Sequence, residues 1–247
     1  MNEKIRVSIV SYLNSAPFLF GLRNHAIRDR IELFQDVPAV CAEKLRSGQV
    51  DIGLIPVATL PEIPNGTIIG DFCIGCDGEV HSVLLLSRVP LHEIDRVLLD
   101  YQSRTSVRLV RILAEELWKI APEWTPALPG YEKSITGRTA AVVIGDRAME
   151  MRADYPFIYD LGAAWKELTG LPFVFAVWTA NRMIDSEFMA LFNEALGEGL
   201  SAIPEILKNL RPHPVQLKEL DVYLRQHIRY AFYEEQRKGL ELFLSKL

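Results

Sequence analysis

Val7-Ser-Ile-Val-Ser-Tyr-Leu-Asn-Ser-Ala-Pro-Phe18 is the stretch that decides how the rest of the chain is read. Val7 to Val10 is β-branched and apolar, broken only by Ser8, as in a short buried strand. The chain then turns through Ser11, Tyr12, Leu13, Asn14 and Ser15. Pro17 suits the first turn of a helix, where a missing N–H costs nothing. Asn14 or Ser15 would supply the N-cap oxygen. A strand running straight into a helix leaves N–H groups aimed at the cleft above the sheet, where open α/β sheets gather anionic ligands. An ordinary capped strand–turn–helix reads the same way, so the residues beyond Phe18 must decide.

Beyond Phe18 the pattern repeats. A strand at Ile31–Phe34 precedes a helix from Pro38 to Ser47 with Gly48 as its C-cap; Val50–Ile55 is again a strand, and Pro56 opens a short helix. This β-α-β-α-β order implies parallel strands with right-handed crossovers. Thr67–Phe72 and Val80–Ser87 read as two strands separated by a Gly-rich turn, the second long enough to cross between lobes. A second α/β series starts near Pro90, with a strand at Arg96–Leu99 and a helix opened by Ser103-Arg-Thr-Ser106. The Pro-rich stretch from Pro122 to Pro129 reads as a surface loop. A strand at Thr139–Ile144 turns at Gly145-Asp146 into a helix. From Asp185 the chain reads as helical, over Ser186–Ile203, Leu217–Phe232 and Glu234–Leu247. Two such series with a returning helical tail predict a two-lobed α/β protein, with residues 1–87 plus 182–247 as one lobe and 88–181 as the other. A ligand would sit in the cleft between them.

Composition limits the function classes. The chain has 247 residues, 49% hydrophobic and 24% charged, with a net charge of −5. That is a globular composition with no basic footprint for nucleic acid or an acidic membrane. No apolar run approaches the roughly 20 residues of a membrane span. The N-terminus enters the first strand without a secretory leader, so a cytoplasmic protein is expected. The three cysteines argue against a disulfide framework. Cys73-Ile-Gly-Cys76 has metal or redox spacing, but zinc needs two further ligands and Cys41 offers one thiol without a nearby His pair. No metal site is expected.

The residues at strand ends and helix starts are the candidates for the cleft: Ser11, Tyr12, Asn14 and Ser15; Ile55 and Pro56; Ser82; Ser103, Arg104, Thr105 and Ser106; Gly145 and Asp146. Most are hydroxyls or backbone donors, suited to a small anion held by dipoles and neutral groups, with Arg104 as a possible counter-charge. No Ser-His-Asp set and no Cys-His pair is present. The histidines at 25, 81, 92, 213 and 227 are scattered, and only His81 adjoins a candidate. Each candidate also has a plain structural reading: Ser103–Ser106 as a helix cap, Asp146 as a cap, Arg104 as a solvated side chain.

Taken together, these stretches resemble the chorismate dehydratase family of the futalosine route to menaquinone. The resemblance rests on Ser11-Tyr-Leu-Asn14 with Pro17, Gly48–Pro56, Ser82–Arg88, Ser103-Arg-Thr-Ser106, Ile144-Gly-Asp146, Tyr159–Gly162 with Trp165, and Thr169–Trp178. It covers roughly residues 5 to 180, and the block order is its most specific feature. Cys76 departs from it, standing where a small residue is expected.

The resemblance implies a type II periplasmic-binding-protein-like fold used as an enzyme without metal or organic cofactor. Its substrate would be a small dicarboxylate, chorismate, and its product 3-[(1-carboxyvinyl)oxy]benzoate. Neither nucleic acid nor membrane would be a partner, and the protein would be a monomer or homodimer. Donors on the ring carboxylate would stabilise the dienolate formed when C3 loses its proton, as an oxyanion hole does. Asn14 and Ser82 would lie closest to the chemistry, and the remaining candidates would bind substrate. Asp146 is the only acid among them, and chorismate's own enolpyruvyl carboxylate is the other candidate base. A non-catalytic anion-binding protein, a transcription-factor effector domain and the related 1,4-dihydroxy-6-naphthoate synthase share the expected architecture.

Overall fold

The computed structural model describes residues 4–210 and 215–247, so His213 lies outside the described residues. The chain opens with β1 (Ile5–Val10), α1 (Ala16–Asn24), β2 (Ile31–Asp36), α2 (Pro38–Arg46), β3 (Ile52–Pro56) and β4 (Thr67–Cys76). It continues through β5 (Val83–Ser87), β6 (Arg96–Leu99), α3 (Thr105–Leu113), β7 (Glu123–Pro126), β8 (Thr139–Ile144), α4 (Asp146–Met151), β9 (Phe157–Asp160) and α5 (Leu161–Thr169). Then come β10 (Phe173–Ala180), α6 (Ser186–Ser201), α7 (Ile203–Asn209), α8 (Leu217–Val222), β11 (Arg229–Ala231) and α9 (Glu234–Ser245).

Two sheets carry the fold. The first has the order β11-β4-β10-β3-β1-β2 and the second β7-β6-β8-β5-β9. Strands β1, β2 and β3 run parallel, as the alternation with helices requires, while β10 enters antiparallel between β3 and β4. In the second sheet β6 is parallel to β7 and β8, and β5 antiparallel to β8 and β9. Strands β3, β5 and β10 are buried along their whole length, as their unbroken apolar runs demand when both faces are covered.

The sheets move both lobe boundaries away from the expected ones. Strand β5 belongs to the second sheet, and β10 to the first. The crossing segments are therefore residues 77–82 and 170–172, rather than those near Leu86–Pro90 and Val177–Arg182. An all-apolar strand declares its burial but not its sheet. Asp160 fixes the first crossing segment: its carboxylate accepts from the N–H of Val80 (2.9 Å) and His81 (2.7 Å) while capping α5 through Gly162 and Ala163.

Three other readings change. Cys73 and Cys76 lie within β4, which runs on to Cys76 where a Gly-rich turn was expected. The Pro-rich stretch contains β7, an edge strand, where proline's missing N–H leaves no ladder partner unpaired. The expected helix 217–232 stops early: α8 passes into a π-turn at Tyr223–His227 and then β11. The buried set Ile228, Tyr230 and Phe232 has the period of a strand.

The core of the first lobe closes around α1. A Cβ on Gly21 would stand 1.8 Å from the Ala195 carbonyl oxygen, and one on Gly199 1.9 Å from that of Pro17, so α1 and α6 meet backbone to backbone. Phe18 packs edge-on against Phe72 and Tyr230, with ring centroids 5.9 and 5.2 Å away, and against Trp178 at 5.9 Å. That cluster anchors the helix entered just after Asn14.

Candidate functional site

The opening stretch leaves β1, makes a 3-10 turn at Leu13–Ser15 and enters α1. Its cap differs from expectation. No side-chain cap bond forms at Ser15; its buried hydroxyl instead donates to the Val10 and Tyr12 carbonyls. That holds the turn shut and leaves Tyr12 and Asn14 facing the other lobe.

A cavity lies between the lobes. Nine of the thirteen expected residues line it: Tyr12, Asn14, Pro56, Ser82, Ser103, Arg104, Thr105, Ser106 and Gly145. Four do not. The Ser11 N–H donates to the Asp36 carbonyl and the residue is exposed; Ser15 is turned inward. Ile55 is fully buried one position before Pro56, on the opposite face of its strand. Asp146 begins α4 but uses its carboxylate to accept from the Leu13 N–H at 3.2 Å, tying the lobes together outside the cavity. The apolar wall, which includes Val10, Ile74, Val80, Ile144 and Phe175, is not among the candidate site residues, because such residues read simply as strand core.

The polar groups of the cavity are donors. Helix α3 points its N-terminus inward, and the Ser106 N–H is capped by Ser103 Oγ at 3.1 Å. The Ser106 hydroxyl has no hydrogen-bond partner among the described residues. The Thr105 hydroxyl is already committed, donating to the Phe175 carbonyl (3.1 Å) and accepting from the Ala58 N–H (3.3 Å), so it braces the lobes instead of offering a free donor. Arg104 bends back, with Nη1 donating to the carbonyls of Tyr101 and Ser103 at 3.3 and 3.1 Å. Among the described residues lining the cavity there is no Asp, Glu, His or Lys.

Two phenols from the C-terminal segment reach the site. The Tyr223 hydroxyl donates to Ser82 Oγ at 2.9 Å and stands near the Asn14 side chain, while the Tyr230 hydroxyl donates to the Asn14 carbonyl at 2.9 Å. Burial pushes the Tyr223 phenol well above its ordinary pKa, so it stays protonated. On the other side, the Tyr12 phenol donates to Gln102 Oε1. Burial, followed by the charge of Asp100, raises its pKa too. Gln102 is held in turn by Asp100 through its backbone N–H (2.8 Å) and by the Tyr101 hydroxyl (2.9 Å). Asp100 is buried and paired with Arg147 at 2.6 Å and with the Tyr131 hydroxyl at 2.7 Å. This side of the cleft therefore rests on the Asp100–Arg147 ion pair, in which Arg147 also binds Glu132.

A two-lobed α/β body closed on a donor-lined cavity defines a protein of the periplasmic-binding-protein-like class. Solved structures agree on the fold. A protein from Archaeoglobus fulgidus superposes with a TM-score of 0.74 at 14% identity, over 99% of this chain and 97% of that one. The alkanesulfonate-binding protein of Xanthomonas axonopodis pv. citri, bound to MOPS, gives 0.63 at 14% identity, over 100% and 94%. The chain belongs to the menaquinone biosynthesis family, whose profile matches residues 5–247. A chorismate dehydratase from Thermus thermophilus is 30% identical over 96% of this chain and 92% of its own length. One from Campylobacter jejuni is 28% identical over 60% of this chain and 66% of its own. No helix among the described residues is long and apolar enough to cross a membrane.

Proposed function

We propose that this protein is a chorismate dehydratase, a hydro-lyase that converts chorismate to 3-[(1-carboxyvinyl)oxy]benzoate and water. The observation that carries this reading is a cavity rich in neutral donors and without an acid, histidine or lysine in its described lining, in a chain of the menaquinone biosynthesis family. Chorismate has two carboxylates. The α3 N-terminus and the Ser106 hydroxyl suit one of them, through dipole and hydrogen bond. Asn14, on the first lobe, and Ser82, at the end of the first crossing segment, donate to charge that develops as the reaction proceeds.

The C3–H bond breaks first, and its electron pair delocalises through the C1=C2 double bond into the ring carboxylate. The pair then returns to form the C3=C4 bond as the C4–O bond breaks. The departing hydroxide takes up the abstracted proton and leaves as water, and the ring becomes aromatic. With no acid, histidine or lysine among the described residues lining the cavity, the enolpyruvyl carboxylate of the substrate takes the C3 proton. The protein contributes position and polarisation.

Chorismate esterified on the enolpyruvyl carboxylate tests that assignment. It should bind and resist elimination. Elimination at the rate of free chorismate would put the base on the protein.

A further inference from the structure

We propose that Tyr223 is a positioning residue that aims the Ser82 hydroxyl proton into the cavity. The proposal rests on the dehydratase reading of that site. Tyr223 does not line the cavity, and it is 1% exposed. It stands on the π-turn Tyr223–His227, a distortion often found at functional sites. Its phenol has Ser82 Oγ, at the end of the first crossing segment, at 2.9 Å, and the Asn14 side chain of the first lobe close by.

The direction of these bonds matters. At 2.9 Å either hydroxyl can donate; with Tyr223 donating to Ser82, the Ser82 oxygen is the acceptor there and its own proton points elsewhere. Among the described residues no acceptor takes that proton, and Ser82 lines the cavity. The Asn14 amide can donate to the phenol oxygen that donates onward. The order is Asn14 N–H, Tyr223 O–H, Ser82 O–H, ligand. Each bond polarises the next, so the last donor is strengthened as well as aimed. Tyr230 holds the start of this chain, through the Asn14 carbonyl at 2.9 Å. Two tyrosines of the C-terminal segment thus set the orientation of two residues near the reacting atoms.

Tyr223→Phe tests the proposal on full-length protein. Removing one hydrogen bond of ordinary strength should lower kcat roughly tenfold and leave KM nearly unchanged. In a Ser82→Ala background the same change should add no further loss, since both act through one hydroxyl. Multiplicative losses in the double variant, or a rise in KM with kcat intact, would overturn the proposal. If Phe is not accommodated, Tyr223→3-fluorotyrosine keeps the ring and makes a stronger donor; an unchanged kcat would overturn it equally. A readout without turnover separates this proposal from the function. With asparagine labelled by ¹⁵N, and the Asn14 side-chain amide assigned through Asn14→Asp, Tyr223→Phe should shift that resonance. A resonance that stays in place overturns the positioning role even if chorismate is not the substrate.

Discussion

The ring of Tyr12 lies against Gly145, with three of its carbons within 3.2 Å of the point a Cβ on that glycine would occupy. This contact joins the first lobe to the second directly beside the cavity. Gly145 also has φ 67° and ψ −151°, a conformation essentially reserved for glycine. Gly145→Ala therefore meets two costs, backbone strain of about 1–3 kcal/mol and displacement of the Tyr12 ring. The variant should melt lower and bind chorismate at least about tenfold more weakly by calorimetry, since each 1.4 kcal/mol is a decade. Unchanged affinity would mean that the cleft does not need this contact.

Ser106 and the pair Asn14 and Ser82 should separate in steady-state kinetics. A neutral donor lost from a charged partner costs about 1.5–3 kcal/mol, so Ser106→Ala should raise KM roughly tenfold to a hundredfold. Asn14→Ala and Ser82→Ala should lower kcat and kcat/KM together with little change in KM, the pattern of an interaction made only in the transition state. The reverse split would exchange the two roles.

Thr105 should behave unlike its neighbour. Its hydroxyl bridges the Ala58 N–H and the Phe175 carbonyl. Thr105→Val removes both bonds with little change of shape, and an unsatisfied group costs about 1–3 kcal/mol. Thermal unfolding should register that loss, and a large effect on kcat alone would contradict the bracing role.

The cysteines should be inert. All three are free and buried, and desolvation raises each thiol, Cys41 to about 12. Alkylation should be slow in the native protein and fast in denaturant. Cys73→Ala with Cys76→Ala should keep activity within a few-fold. Stoichiometric zinc lost together with activity would show otherwise.

Acid should weaken the junction where the chain returns from β10. Burial disfavours the charge of Asp51, but the guanidinium and backbone N–H of Arg6, with Arg182, outweigh it and hold its pKa down to about 2. The folded value lies below the unfolded one. The ion pair therefore contributes in full above roughly pH 4, and its contribution is lost as pH falls toward 2. Both guanidiniums are partly exposed, so the contribution is about 1–2 kcal/mol after screening. Asp51→Asn should lower stability at pH 7 by that amount, and the gap to the unsubstituted protein should close in acid. A constant gap from pH 7 to 2 would contradict it.

Much of this site was legible because its parts are local. Pro17, the run from Val7 to Val10, and Ser103–Ser106 announce strand ends and helix starts in a few residues each, and the period of a strand separates Pro56 in the cavity from Ile55 behind it. What stayed hidden depends on partners far along the chain. Asp146 reads as a cleft acid in the sequence, and only its bond to the Leu13 N–H, 133 positions away, places it at the lobe contact. The partnership of Tyr223 with Ser82 spans 141 positions and leaves no local pattern. The sheet that β5 joins is settled by β8 and β9, which its own apolar run cannot name.

The most direct measurement is to incubate the purified protein with chorismate, follow the loss of its diene absorbance, and identify the product by mass spectrometry. Catalytic loss of the diene, with one aryl enol ether formed per chorismate consumed, is the expected result. Tight, saturable binding of chorismate with the diene intact would contradict the account and make this a ligand-binding protein of the same fold.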